Sequence, residues 1–284
     1  MIKLKTWAKI LIAFSKRVIR FYCDLSIIFI YLIYNLFIYK KPFDNNIIFV
    51  TAAEKNYFNQ LESLLKSYYK HLSNKLIFYD IGLAENQLQS LKDNFENLEI
   101  IKFQFNQYPK FIGEYFDDKL GNYAWKPIIV DQVMQQYKSK VVWLDSGNLV
   151  TKKIVFLKIA LTTAGLVVPS SSNTIKDWTH PKTIEYIGIN KKYLNSNNYA
   201  SGLIGFDYNS KKAKNISELW SKFSQIQDCI SPKDSSRANH RQDQAVLTLL
   251  LYKYYFTNNL KRFVYPQTNF IYGILFHKRK IYNF

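Results

Sequence analysis

The run Val141 to Thr151, VVWLDSGNLVT, carries an apolar stretch straight into an aspartate, Asp145, followed by the small, turn-prone Ser146, Gly147 and Asn148. A carboxylate released at the end of a buried strand faces the crevice where α/β sheets bind ligands. There it can meet a metal ion, a phosphate or a sugar hydroxyl. The plainer alternative is an Asp that only opens a turn through its short side chain. Which of the two applies depends on the elements that bring other groups to the same place.

Those elements alternate. Ile47 to Val50 is a short, wholly apolar run of the kind found in buried parallel strands, and Thr51 to Glu54 forms the junction that follows it. Phe58, Leu61, Leu64, Leu65, Tyr68 and Leu72 then recur at steps of three and four, giving a helix with one apolar stripe. Lys75 to Asp80 reads as a second strand, Glu85 to Phe95 as a helix and Leu98 to Phe103 as a third strand. Lys126 to Tyr137 is a helix with Pro127 in its first turn, where the missing amide hydrogen costs nothing, and it leads into the Val141 strand. The alternation predicts an α/β fold: a mostly parallel central sheet with flanking helices, in one domain over residues 43–284.

Four segments come in a telling order: TAAEKNYF (51–58), WLDSG (143–147), SGLIGFD (201–207) and DQAVL (243–247). In that order and spacing they resemble family-8 glycosyltransferases, enzymes of the GT-A fold. YAWKP (123–127) and HRQDQ (240–244) are similar to a less characterised family-8-like set. The resemblance spans residues 46–255 and implies a Rossmann-like GT-A domain that transfers a sugar from a nucleoside diphosphate sugar, UDP-linked in the usual case, to a hydroxyl of a glycan or lipid-linked acceptor.

On that resemblance, the first junction holds the nucleotide. Thr51, Ala52 and Ala53 are small enough to let a planar base approach the backbone, Asn56 stands near base and ribose, Glu54 matches a frequent acidic position, and Tyr57 is available to stack. An ordinary N-terminal turn is the structural alternative. Lys126, near a helix start, is expected at the donor phosphates, where a point charge suits a diphosphate. Ser201 and Gly202 open a short apolar strand on which a sugar can lie. Asp243 and Gln244, at the start of the helix running to Tyr255, are expected to line the sugar pocket, with Asp243 as general base if the reaction inverts. A structural account also exists for Asp243, whose charge complements a helix N-terminus. Trp178, His180, Glu185 and Tyr186 either shape an acceptor pocket or serve the fold.

The family pattern implies Mn²⁺ or Mg²⁺ bound by Asp-x-Asp. Here the sequence is Asp145-Ser146-Gly147, one carboxylate short. Mg²⁺ can manage with one or two carboxylates plus substrate phosphates, so Asp145 is expected as a metal ligand, with His277 as the positional candidate for a second. Lys278 and Arg279 beside it offer direct phosphate neutralisation instead. The missing carboxylate also keeps open a catalytically inactive protein that only binds a sugar nucleotide or glycan.

A formal charge of +18 with 17% aromatic residues raises nucleic acid as a partner, but no nucleic-acid module and no localised basic stripe occurs, so nucleic acid is not expected. Cys23 and Cys229 are too far apart and too unlike in context to suggest a disulfide framework or a metal site. Residues 1–42 differ in kind from the rest: Lys3, Lys5, Lys9, Lys16, Arg17 and Arg20 precede an apolar run in which Ser26 to Tyr39 lacks any charge. Fourteen helical residues reach roughly 21 Å, against a hydrocarbon thickness of roughly 30 Å. The segment is therefore expected to associate with a membrane surface, either spanning with Phe21 to Leu25 included or lying in the interface. The domain would then work on the cytoplasmic face in a bacterium, or in the secretory lumen in a eukaryote. A third reading is a membrane scaffold. Deleting residues 1–42 is expected to turn a protein that sediments with membranes into one that stays in the supernatant, as ultracentrifugation with liposomes would show.

Overall fold

A computed structural model describes residues 46–116, 119–152, 154–256 and 274–276, with residues 26, 29 and 33 before them. The central sheet has six strands: β1 (Ile47–Ala53), β2 (Leu76–Asp80), β3 (Glu99–Lys102), β4 (Lys140–Leu144), β5 (Leu166–Val167) and β6 (Leu203–Asp207). Their order is β3-β2-β1-β4-β6-β5. β1, β2, β3 and β4 run parallel, and β6 alone is reversed against its neighbours β4 and β5. The mostly parallel sheet is present, with a reversal that residue pattern could not reveal, since a strand buried on both faces looks the same in either direction.

The main helices are α1 (Phe58–His71), α2 (Glu85–Asn94), α3 (Trp125–Tyr137), α4 (Val155–Ala164), α5 (Pro181–Ile187), α6 (Lys211–Ser224) and α7 (Gln242–Leu250). Alternation along β1 sends Ile48, Val50 and Ala52 to one face, into the core shared with Ile129 and Val133 of α3, Trp220 of α6 and Val246 of α7. Ile47, Phe49 and Ala53 go to the other, with Leu61, Leu65 and Tyr68 of α1 and Leu157 and Leu161 of α4. Each such fully buried aliphatic or aromatic side chain contributes about 1.5–3 kcal/mol. The result is three layers with the sheet in the middle.

Two boundaries differ from expectation. β1 continues through Thr51, Ala52 and Ala53, because the parallel ladder to β2 extends as far as Ala53 opposite Asp80. Small residues without strand preference are held extended by pairing and burial on a central strand. The helix expected through Tyr255 is α-helical only to Leu250, and Leu251–Tyr255 form a π-turn. Among the described residues no helix is long and apolar enough to cross a membrane. Residues 1–42, expected to associate with a membrane, and His277 lie outside the described residues, apart from Ser26, Phe29 and Ile33.

The entry into α7 is clamped by the segment around Trp178. The Arg241 guanidinium lies 3.7 Å from the Trp178 ring centroid, and the Arg241 amide donates to the Trp178 carbonyl at 3.0 Å. His240 is fully buried. Its Nδ1 accepts from the His180 amide at 3.2 Å, so the ring proton belongs on Nε2, 2.9 Å from the Ile230 carbonyl. Burial pushes the His240 pKa down to about 4, against the raising effect of that carbonyl, and the ring is a neutral structural strut. His180 itself caps α5, accepting from the Lys182 amide. Trp178 and His180 thus serve the fold.

A second positioning device precedes α3, where Gly121, Asn122 and Tyr123 all take positive φ, 53°, 48° and 65°. Gly121 is required there, since a Cβ would stand 2.2 Å from the Ile112 carbonyl oxygen. Gly121→Ala is expected to destabilise the protein by on the order of 1–3 kcal/mol through backbone strain. Chemical denaturation measures this.

Candidate functional site

After β1 the chain winds outward through β2 and β3, then returns to lay β4 against the other side of β1. The connections leaving β1 and β4 therefore diverge, and a crevice opens at their carboxyl ends, the position where open α/β sheets take ligands. A cavity of about 340 Å³ lies there. Ala52, Ala53, Glu54 and Tyr57 line it from β1 and the turn beyond, and Trp143, Asp145, Ser146 and Gly147 line it from β4. Of the residues expected around the nucleotide, Ala52, Ala53 and Tyr57 are thus on the cavity wall. Thr51 is fully buried behind it, its hydroxyl without a hydrogen-bond partner, and Asn56 is exposed and off the wall.

Beneath the cavity floor is a buried ion cluster. Lys126, in the first turn of α3 and only 3% exposed, places its Nζ 2.9 Å from Asp145 Oδ1 and 3.1 Å from Asp243 Oδ2. The Ser201 hydroxyl and carbonyl lie a further step away, each at 3.5 Å. A cation at a helix N-terminus opposes the macrodipole and would be costly to bury alone, so the carboxylates are what permit it. Burial acts to lower the Lys126 pKa, and the two carboxylates outweigh it, holding the ammonium above its ordinary value. Burial likewise pushes the Asp243 carboxyl up, against the opposing pull of Lys126 and the Ser201 hydroxyl. Asp145 differs from Asp243 in reaching the cavity, its side chain 39% exposed. Its Oδ1 also accepts from Trp143 Nε1 at 2.7 Å, and Oδ2 is the oxygen that neither partner engages.

Four expected site residues, Lys126, Asp145, Ser201 and Asp243, are therefore brought together, in roles that differ from the sequence reading. Lys126 is committed to carboxylates and does not line the cavity. Asp243, 3% exposed behind Lys126, is out of reach of an acceptor hydroxyl and cannot be the general base in this arrangement. Gly202 acts through its carbonyl, which accepts from the Asp145 amide at 2.9 Å and from Asn148 Nδ2 at 2.6 Å, pinning the loop after β4 to the start of β6. Gln244 is half-buried one position beyond Asp243, away from the cavity lining.

Beyond the expected residues, the cavity wall holds Tyr123, Arg237 and Lys119, to which residue pattern assigns no role. Tyr123, presented by the left-handed turn, accepts from Arg237 Nη1 at 3.1 Å on its hydroxyl, while Lys126 Nζ lies 5.5 Å from its ring centroid. Arg237 and Lys119 both line the cavity and continue into a polar groove along Ser231 to Arg237. Glu54, buried, accepts a 2.5 Å hydrogen bond from the Tyr115 hydroxyl, which raises the Tyr115 pKa to about 12. Consecutive Gly121 and Asn122 were a readable hint of the turn at Tyr123. Nothing local marks Arg237, which reaches the site because Asn122 Nδ2 donates to Ser231 Oγ at 2.7 Å across 109 positions of chain.

The described residues do not fit the divalent-cation site that the family pattern implied. Asp145 is the lone carboxylate of its loop, one of its oxygens is shared by an indole and an ammonium, and that ammonium is itself a fixed positive charge 2.9 Å away. No group of three or more His, Cys, Asp or Glu able to hold a metal occurs among the described residues. Phe276 pairs with Asn148, three residues past Asp145, while His277 falls outside the described residues.

A family model described as protein of unknown function (DUF1647) matches residues 33–131. No curated protein matches the chain. Among solved structures the chain is similar to an active-site mutant of LgtC, with a TM-score of 0.54 and 15% identity over 80% of this chain and 85% of that one. It is also similar to the apo structure of the bifunctional glycosyltransferase WbbM, at a TM-score of 0.50 and 14% identity over 75% of this chain, and it spans 39% of WbbM. The Mn/GDP form of core-mannan synthase A from Aspergillus fumigatus gives a TM-score of 0.50 and 9% identity over 74% of this chain and 70% of that one. The chain has the GT-A fold.

Removing the buried cation tests the cluster. Lys126→Met is expected to destabilise the protein by about 3–5 kcal/mol, because Asp243 is left buried without its counter-charge. Adding Asp243→Asn should recover part of that loss, as urea denaturation of the single and double variants would register.

Proposed function

We propose that this chain is a glycosyltransferase of the family-8 kind, moving a sugar from a UDP-linked donor to a hydroxyl of a glycan or lipid-linked acceptor. The observation that carries the reading is the cavity between the carboxyl ends of β1 and β4, in a GT-A fold, with Asp145 at its mouth. Its floor of Ala52 and Ala53 leaves room for a planar base against the backbone, and Tyr57 offers an aromatic face beside it. Glu54, oriented by Tyr115, is an acceptor suited to ribose hydroxyls. The domain, residues 43–284, would be held at a membrane surface by residues 1–42, which suits a lipid-linked acceptor.

In the transfer, the bond between the anomeric carbon and the diphosphate oxygen breaks with its electron pair leaving on the diphosphate. The acceptor oxygen bonds to that carbon and gives up its proton to the departing diphosphate oxygen. Rate comes from fixed charges aimed at the group where negative charge develops, which act strongly in a site walled by Trp125, Trp143 and Tyr123. Asp145 serves by its free oxygen, available to a donor hydroxyl, and by holding Lys126 beneath the floor. That buried ammonium offsets the charge of Asp145 and lies 5.5 Å from the ring centroid of Tyr123, so the carboxylate repels an anionic donor less than it would alone.

Calorimetric titration with a panel of nucleoside diphosphate sugars should give binding, with UDP-sugars preferred. Asp145→Asn is expected to cut release of the nucleoside diphosphate from donor by roughly 10²-fold or more while circular dichroism stays unchanged. Full turnover in that variant, or no binding by any of the sugars, would remove the reading.

A further inference from the structure

The charge that answers a diphosphate in this cavity has to come from somewhere, and the loop after β4 is poorly made for a dication. A bound Mn²⁺ or Mg²⁺ wants an excess of oxygen ligands carrying negative charge. Here the one carboxylate of the loop is already paired with a buried ammonium at 2.9 Å, and the next carboxylate, Asp243, lies on the far side of that ammonium and is paired with it as well. A dication at Asp145 would have only Oδ2 free to it and would be repelled by the ammonium held at Oδ1.

Cations of the chain itself stand on the cavity wall. Arg237 is exposed and lines the cavity, and its guanidinium is a planar fork suited to two phosphate oxygens at once. It is held in place from two directions. Tyr123 receives one of its donors, leaving the others for a ligand, and the Asn122 to Ser231 bond ties its loop to the same wall. Both anchors depend on left-handed backbone at Asn122 and Tyr123, non-glycine residues in a conformation that costs free energy and is characteristic of functional sites. Lys119 adds a second positive charge to that wall.

We propose that Arg237 and Lys119 neutralise the donor diphosphate in place of a divalent cation, with Tyr123 as the residue that positions Arg237. This rests on the nucleotide-sugar reading above and adds to it that binding needs no metal.

Titration of the full chain with UDP, once in EDTA and once in MnCl2, separates the two claims. The expected result is one affinity in both solutions, agreeing within about twofold, and a loss of roughly tenfold in both for Arg237→Ala, as a charge-assisted phosphate contact predicts. Arg237→Lys, which keeps the charge and loses the fork, should fall between. Tyr123→Phe should weaken binding less than Arg237→Ala, since only the positioning hydroxyl is lost. UDP binding that appears only with Mn²⁺, or binding in EDTA that Arg237→Ala leaves unchanged, overturns this inference while the nucleotide reading stands. Absence of UDP binding in either solution overturns both.

Discussion

The ammonium of Lys126 is the point on which the site depends. It joins the start of α3, the end of β4 and the start of α7, places 19 and then 98 positions apart in the chain, through contacts of 2.9 and 3.1 Å. Each partner is intolerable in its position without the others: a lysine in the first turn of a helix, and a carboxylate under a cavity floor at 3% exposure. The cluster has a direction as well. Asp145 opens to the cavity and Asp243 does not, so one face of the assembly is available to a ligand and the other fastens it to the core.

Around that fixed charge the fold supplies rigid boundaries. Gly202 receives the Asp145 and Asn148 donors, so the loop after β4 cannot drift from β6. α7 is seated by the Trp178–Arg241 stack and by a histidine kept neutral through burial. Gln242, immediately before Asp243, has a φ of 40°, and Tyr123, three residues before Lys126, has a φ of 65°. Strained backbone thus flanks both ends of the ion cluster, which is what a site maintained against its local preferences should show.

How much of this was legible depends on the range of the interactions. Alternation and burial are local, so the main sheet strands and the helices between Ile47 and Leu144 could be read from apolar spacing, with errors of a few residues where pairing extended β1 to Ala53, while the small hairpin of Tyr115–Phe116 with Lys119–Leu120 went unread. Asp145 was visible because a carboxylate at a strand end is a local anomaly. The pairing of Lys126 with two carboxylates was not, since it is decided by the packing of α3 against the sheet, and a lone lysine near a helix start gives the same letters whether it faces a phosphate or a carboxylate. Arg237 and the reversal of β6 were hidden for the same reason: no residue pattern marks them, and only tertiary contact assigns them.

The sequence departure at the Asp-x-Asp position and the buried lysine belong to one electrostatic arrangement. A loop with two carboxylates would present an excess of negative charge and would call for a dication to meet an anionic ligand. With Ser146 and Gly147 after Asp145, and Lys126 beneath it, the loop has a single carboxylate and that one is paired with an ammonium. Lys119 and Arg237 bring positive charge to the lining of the same cavity. With one carboxylate fewer than Asp-x-Asp, and the remaining one paired with an ammonium, the loop repels a diphosphate less and leaves the charges of the chain itself to meet it.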